Sequence, residues 1–375
     1  MSGIYIHIPF CRKACHYCNF HFSTQIEHID HFVDALLIEM HLQNDYLKDK
    51  IETIYLGGGT PSLLSTEHLD KILEGLHSNF NISPQIEFTL EANPDDIDLS
   101  KTKMWQSKGI NRLSIGIQSF QDEALSWMNR AHNTQQAHSA IENAKAAGIH
   151  NLSTDLIYGT PHLSDEALLK DIEILNQYQI PHISCYALTV EEKTVLHHLI
   201  QKKEIENIDT EKQARHFEIV VDSLINSGFE HYEISNFALP GHESKHNSSY
   251  WKGLPYLGLG PSAHSFNNKS RQWNIANNAL YIKSLEEKIV PFEIEQLETV
   301  TQYNEYIMIS LRLQEGLSLA EIEKRFGSAY LDHTKSIAKS FVSEGKIIAT
   351  EMGYAIEKKA RFLADGIASD FFIVD

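Results

Sequence analysis

Three of the chain's four cysteines stand within eight residues, as Cys11-x3-Cys15-x2-Cys18. Thiols gathered this closely are metal-site chemistry, because a thiolate ligates both iron and zinc well. The spacing allows two sites. A cubane [4Fe–4S] cluster takes four thiolates when protein holds every iron, so three leave one iron open to an outside ligand. Zinc prefers a closed tetrahedral set, which His16 or His21 completes as Cys3His. The remaining cysteine, Cys185, lies far along the chain in an apolar run and reads as a small buried hydrophobe. Cysteines so few and so unevenly placed do not form a disulfide framework and suit a reducing compartment.

Other groups with chemical potential recur at the ends of apolar runs. Gly57-Gly58-Gly59-Thr60-Pro61 follows the second run. Its glycines let the backbone approach a ligand closely, with carbonyls free to accept from an ammonium. Glu91 ends the third run, Gln118 follows the fourth, and Asp155 sits in the fifth. Arg130, beyond Gln118, can grip a carboxylate with two hydrogen bonds. Singly, these read equally well as a solvated carboxylate, a capping amide or a surface cation; their shared placement makes them a set. Further on, His246-Asn247-Ser-Ser-Tyr250-Trp251 joins an imidazole to two flat aromatic faces. In a chain with 21 histidines, the plain reading of His246 is a hydrogen-bonded loop residue.

The elements that must hold these groups are legible as short apolar runs alternating with longer amphipathic ones. The pattern predicts strands over 4–8, 53–56, 86–91, 112–117, 151–156 and 182–187. It predicts helices over 27–44, 66–79, 100–108, 134–147, 164–177 and 210–227, with Ser65 opening the second and Gly148 closing the fourth. Such alternation means βαβ units and a parallel sheet. The candidate residues fall at the C-terminal ends of its strands, where α/β barrels build their sites. Six units do not close an eight-fold barrel, so the expected fold is α/β, an open partial (β/α)6 barrel.

Beyond residue 236 the pattern changes. Residues 242–266 read as loop, with five Gly or Pro residues and several aromatics. Helices are predicted over 300–313, 319–326 and 332–344, then short strands over 347–349 and 354–356, an order resembling a small winged helix. The expected organisation is a barrel over 1–236, a connecting segment over 237–298 and a mostly helical winged-helix-like domain over 299–375. Winged helices often bind DNA, yet residues 318–375 carry 8 Lys or Arg against 9 Asp or Glu. Without a basic stripe to neutralise phosphates, a structural or partner-binding role is expected there.

Over all 375 residues, 32 Lys plus Arg face 50 Asp plus Glu, a net charge of −18. That balance argues against nucleic acid and against an anionic membrane surface as partners. An apolar share of 42% supports a packed core. The opening MSGIYIHIPF has no basic leader, and nowhere do about 18 apolar residues run together, so no signal peptide or membrane span is expected and the location is expected to be cytoplasmic.

The longer string Tyr5-Ile-His-Ile-Pro-Phe-Cys11-Arg-Lys-Ala-Cys15-His-Tyr17-Cys18 resembles the cluster loop of the radical-SAM superfamily. More narrowly, it is similar to the oxygen-independent coproporphyrinogen III oxidase-like family and, within it, to the HemW-type haem chaperones. The likeness runs over nearly the whole chain. It implies a [4Fe–4S] cluster on Cys11, Cys15 and Cys18, with S-adenosylmethionine (SAM) bound at the open iron. It implies Tyr5, Tyr17, Gly58, Gly59, Thr60, Glu91, Gln118, Arg130 and Asp155 as the SAM-binding set. Arg130 suits the methionyl carboxylate; the two acids suit the ammonium or the ribose hydroxyls.

The resemblance leaves two main functions, with a radical-SAM enzyme acting on another substrate as a third. One is an enzyme that decarboxylates coproporphyrinogen III through a 5′-deoxyadenosyl radical. The other is a chaperone that carries haem on the same scaffold. The oxidase has a further cysteine two residues after its triad, where this chain has Phe20, and a long arm before its cluster strand, where this chain starts ten residues ahead of Cys11. The His-Asn-x-x-Tyr-Trp string matches the chaperones and implies His246 as a haem ligand, flanked by Tyr250 and Trp251. The stretch Gly258-Leu-Gly260-Pro-Ser-Ala-His264-Ser is typical of the group. It is expected to turn over the top of the barrel, with His264 as a second candidate contact. The resulting expectation is a haem chaperone with exchangeable SAM that delivers haem to an unidentified acceptor protein and lacks coproporphyrinogen oxidase activity.

Overall fold

The computed structural model describes residues 2–374. The first part runs β1 (Ser2–Ile8), α1 (Ile29–Leu42), β2 (Ile51–Gly58), α2 (Thr66–Asn79), β3 (Ile82–Ala92), α3 (Leu99–Ser107), β4 (Arg112–Gln118), α4 (Asp122–Trp127), α5 (Thr134–Ala146), β5 (Asn151–Tyr158), α6 (Asp165–Gln177) and β6 (His182–Ala187). Then come α7 (Val195–Gln201), α8 (Thr210–Asn226), β7 (Glu230–Glu233), β8 (Asn236–Ala238), α9 (Lys245–Trp251), β9 (Tyr256–Leu259), β10 (His264–Phe266), β11 (Ser270–Asn274), α10 (Asn278–Glu286) and β12 (Phe292–Gln296). The last part runs α11 (Thr299–Arg312), β13 (Leu317–Ser318), α12 (Leu319–Phe326), α13 (Ser328–Ser343), β14 (Ile347–Ala349), β15 (Gly353–Ile356) and α14 (Ala364–Asp370).

Strand alternation sorts the side chains of β1–β6 onto two faces. Ile4, Ile6 and Ile8, Ile54 and Leu56, Phe88 and Leu90, Leu113, Ile115 and Ile117, Leu152 and Leu156, Ile183 and Cys185 belong to one apolar core. Helix α1 covers it with Phe32, Val33, Leu36 and Met40. Each large aliphatic side chain buried this fully stabilises the fold by roughly 1.5–3 kcal/mol. The opposite face is polar or small: Tyr5 and His7 on β1, Thr53 and Gly57 on β2, Glu91 on β3, Gly116 on β4. These crowd together, since a Cβ on Gly57 would meet Tyr5, Tyr55 and Glu91 at 2.8–3.1 Å. One strand pattern thus makes both the apolar layer under the helices and a polar interior that can receive a charged ligand.

The strands form a twelve-stranded sheet in the order β12-β11-β10-β9-β1-β2-β3-β4-β5-β6-β8-β7. β1 to β6 are parallel neighbours in chain order, which is the expected partial (β/α)6 barrel. β9 adds a parallel strand beyond β1, and β10 to β12 continue antiparallel. The C-terminal part has winged-helix order, with its own sheet β13-β15-β14. Its separate apolar core is built on Tyr303, Ile307, Leu311, Ile322 and Ile347.

The stretch 242–266, read as loop from sequence, instead holds α9, β9 and β10. Helix α9 is capped by Ser244, which accepts from the Asn247 backbone N–H, and it buries His246 and Ser249 rather than an apolar stripe. A glycine inside β9 disguises that strand. Gly258 must be glycine because a Cβ there would lie 2.0 Å from the His264 carbonyl oxygen.

Candidate functional site

The three clustered cysteines sit on a loop that leaves the end of β1. Two backbone bonds close its base, Cys11 N–H to Ser23 O (3.0 Å) and Ser23 N–H to Pro9 O (2.8 Å), above the buried Phe10. The thiols are half-buried, and each of two has a donor. The Thr60 hydroxyl donates to Cys11 Sγ at 3.3 Å, and Arg130 Nη1 donates to Cys15 Sγ at 3.3 Å. Burial pushes the Cys11 thiol up to about 11 and raises Cys18 as well. Such thiols ionise when iron takes the place of lost water, and donors to sulfur then tune the cluster. The donor set therefore fits a cluster held by Cys11, Cys15 and Cys18. The histidines of the zinc alternative are engaged elsewhere: His16 Nδ1 with Trp127 O at 2.9 Å, and His21 Nε2 with Asn278 Oδ1 at 2.7 Å. Among the described residues, no group of three His, Cys, Asp or Glu side chains is arranged to hold a single metal ion.

The strand ends next to this loop carry the other expected residues. Gly58 has φ +104°, open to glycine at little cost, and its N–H donates to Glu91 Oε2 at 3.1 Å. Gly59 is forced by proximity, since a Cβ would lie 2.6 Å from Phe10 O. The Tyr55 hydroxyl donates to Glu91 Oε1 at 2.7 Å. Burial nevertheless pushes Glu91 up to about 7, and burial likewise pushes Asp155 up to about 6. A cationic ligand between them would restore both carboxylates to the ionised form. Gln118 holds a left-handed φ of +67° at a break in the β4–β5 register, the kind of local strain found at ligand sites. Tyr5 donates its hydroxyl to His7 Nδ1 at 3.1 Å, while His7 Nε2 bonds His21 O at 2.8 Å. Tyr17 packs with Leu125, Met128 and Leu196, its hydroxyl 3.5 Å from Arg130 Nη1.

Arg130 is less free than the sequence suggests. Its Nη2 donates to Asn93 Oδ1 and to Gly116 O, both at 2.8 Å, and its Nη1 faces Cys15; only Nε has no partner. It is therefore tied first to the cluster loop and the β4 end. Two residues escaped the sequence reading. Asn93, within the Glu91-Ala-Asn-Pro string, bonds both Arg130 and, at 3.3 Å, Thr60 Oγ1. Arg112 opens β4 at 1% exposure, and among the described residues its guanidinium lies in no ion pair while Nε has no partner. A buried arginine left so costs stability unless an anion or water answers it; a carboxylate-bearing ligand in the barrel is such an anion. Its sequence signal is weak, because an arginine at a strand start usually marks the surface.

His246 differs most from its expected role. It is 1% exposed, with Nδ1 at 2.8 Å from the Thr53 hydroxyl and Nε2 at 2.8 Å from the Tyr250 hydroxyl. Its ring stacks on Tyr55 at 5.1 Å, its backbone N–H donates to Glu87 Oε1 at 3.1 Å, and burial lowers its pKa to about 3. Both nitrogens are spent inside the barrel, so the ring offers no lone pair to iron in this arrangement. Its motif partners are placed differently. Tyr250 and Trp251 line a cleft of about 840 Å³ between the barrel, β9–β11 and helices α11 and α12. Phe20, 66% exposed, and Tyr5 and His7 line the same cleft, joining it to the cluster loop.

Comparison with known proteins identifies the family and the fold. Residues 5–175 match the model of the Radical SAM superfamily. The "Heme chaperone HemW" of Bacillus subtilis is 33% identical over 377 residues, covering 99% of each chain. That of Mycobacterium tuberculosis is 32% identical over 371 residues, covering 97% of this chain and 93% of the relative. In fold, coproporphyrinogen III oxidase (HemN) from Escherichia coli superposes with a TM-score of 0.85 at 21% identity, over 99% of this chain and 89% of the other. The chain belongs to the radical-SAM superfamily and, within it, to the HemN-like family in its HemW-type branch. Among the described residues no helix is long and apolar enough to cross a membrane.

Proposed function

We propose that the protein is a haem chaperone that keeps a radical-SAM site. Cys11, Cys15 and Cys18 hold a [4Fe–4S] cluster. SAM binds exchangeably beside it, among Tyr5, Tyr17, Gly58, Gly59, Thr60, Glu91, Gln118, Arg130 and Asp155. When bound, the cluster supplies one-electron chemistry and an iron position for SAM. The chain's own work is binding and orientation. Thr60 and Arg130 donate to the cysteine sulfurs, the Gly57–Gly59 turn brings backbone close to the ligand, and Glu91 and Asp155 supply negative charge in a dry interior. Haem is the cargo, handed to an acceptor protein in the cytoplasm.

The observation that carries this reading is the aromatic cleft opening directly beside the cysteine loop. Its volume suits a ligand of porphyrin size, since ligand pockets run to about 300–1,000 Å³. Phe20 stands where the oxidase has a cysteine, and it offers the cleft an apolar ring instead of a thiol. Tyr250 and Trp251 add flat faces to the same wall, while His246 holds Tyr250 by its hydroxyl and so positions that wall from behind. The test is ferric haem added to the anaerobically reconstituted full chain, followed by absorbance in the Soret region. Saturable uptake with the cluster retained supports the reading; the lack of any saturable band refutes it.

A further inference from the structure

The cleft holds a second histidine whose surroundings are the reverse of those of His246. His264 begins β10 at the mouth of the turn after β9; it is exposed, and it lines the cleft. Among the described residues neither of its ring nitrogens is in a hydrogen bond. The ring leans on Trp273 at 6.0 Å with 30° between planes, which fixes its orientation without using a nitrogen. Burial on that side, with Arg271 nearby, lowers its pKa, so the ring is neutral and its lone pair available at neutral pH.

The turn that presents His264 is held rigidly. Gly260, with φ +95°, donates its N–H to the buried carboxylate of Glu39 at 2.8 Å, and its carbonyl accepts from Asn274 Nδ2 at 2.9 Å. Glu39 also accepts from Asn274 Nδ2 at 2.6 Å, from Tyr281 at 2.5 Å and from Gln43 at 2.9 Å. A buried carboxylate so fully satisfied specifies one geometry, and here that geometry aims an unpartnered imidazole into an aromatic cleft. Across the cleft, Arg325 lies over the rings of Tyr306 at 5.2 Å and Phe326 at 4.9 Å, exposed and in no ion pair among the described residues. Its cleft neighbour Arg271, by contrast, is already paired with Glu305 at 2.6 Å.

We propose that the haem iron is ligated by His264 rather than by His246, and that Arg325 takes a carboxylate of the same porphyrin. The inference rests on the haem-chaperone reading and refines its site. An imidazole for iron, flat rings for the macrocycle and a free guanidinium for a propionate are the three groups that a haem presents chemistry for. His246 acts from behind this wall, as the residue that positions Tyr250.

Two probes separate the parts: ferric haem, and protoporphyrin IX, which has the carboxylates but no iron. Both are titrated into the reconstituted full chain. His264→Ala should weaken ferric haem at least about tenfold, near 1.4 kcal/mol, and displace its Soret band, while protoporphyrin IX binds as to wild type. Added imidazole should restore the wild-type band in this variant. Arg325→Gln should weaken both probes alike, with the haem band unmoved. His246→Gln, which loosens the Tyr250 wall, should lower the affinity for both probes alike and leave the position of the haem band unmoved; a displaced band in this variant would return the iron to His246. A wild-type haem spectrum and affinity in His264→Ala overturns the assignment. So does equal loss of both probes in that variant, which would mean the ring shapes the cleft without touching iron. Failure of the wild-type chain to bind either probe is a different result and refutes the chaperone reading itself.

Discussion

Glu91 should make SAM binding pH-dependent in a way that can be separated from SAM's own titration. The side chain is held near a pKa of about 7 by burial, against two donors that favour its ionised form. A cationic ligand binds the carboxylate and not the acid. With a pKa near 7, about nine-tenths of the protein carries the carboxylate at pH 8 and about one-tenth at pH 6. The Glu91 share of SAM affinity should therefore fall close to tenfold between those values, about 1.4 kcal/mol. The perturbation is Glu91→Gln, which removes the titration. The assay is calorimetric binding of SAM to cluster-loaded wild type and variant at pH 6, 7 and 8. SAM's amine titrates equally in both, so the ratio of the two dissociation constants isolates Glu91. The variant should bind about 1–3 kcal/mol more weakly at pH 8, and that gap should shrink at pH 6, by up to about 1.4 kcal/mol where the gap is large and toward zero where it is small. A ratio constant across the range would falsify the placement of Glu91 against SAM. The same shift sets a stability trend. The folded pKa lies above the usual 4.5, so the folded SAM-free protein binds more protons than the unfolded chain between these values. The Glu91 contribution to stability is then full below about 4.5 and declines as pH rises toward 7, by about 3 kcal/mol in all.

Three further outcomes are expected. Replacing Cys11, Cys15 or Cys18 with Ala should remove the absorbance and iron of a reconstituted cluster, while Cys185→Ala, inside the apolar core, should keep both; loss of iron in the Cys185 variant would break the ligand assignment. Arg130→Ala should shift the cluster's midpoint potential, because it deletes the donor to Cys15 Sγ, and should weaken SAM by about 1–3 kcal/mol; an unmoved potential in cyclic voltammetry would rule out that contact. His246→Ala should cost about 2–4 kcal/mol of stability in denaturant unfolding, since it orphans the Thr53 and Tyr250 hydroxyls and leaves a cavity beside Tyr55; an unchanged midpoint would contradict its role as a barrel-filling residue.

The barrel was legible because its strands write two rules at once. Ile4-Tyr5-Ile6-His7-Ile8 alternates, yet its polar members are large and its apolar members β-branched, as a strand buried on both faces requires. The cysteine loop was legible because three thiols in eight residues have few other uses. The strands beyond β9 were not. β10 has only three residues, and every residue of β12 is exposed, as on a sheet edge, so neither has an apolar period to detect. Buried charge was equally hidden. Glu39 and Arg112 look like solvated residues until the fold brings Asn274, Tyr281 and Gly260 to one and the barrel interior to the other. The motif histidine shows the same limit from the other side. Its string marks the right region of the chain, but that its Nδ1 is taken depends on Thr53, 193 residues away, which nothing in the local string reveals.

One experiment decides between carriage and chemistry. The anaerobically reconstituted chain, carrying about four irons and four sulfides, is titrated with ferric haem, and a second portion of the same sample is given coproporphyrinogen III, SAM and reductant. Haem uptake should saturate near one per chain with the cluster intact, and no protoporphyrinogen should form. The opposite pattern, no saturable haem band together with turnover on the order of 1 per second or within a hundredfold of it, would make the protein an oxidase and not a haem carrier.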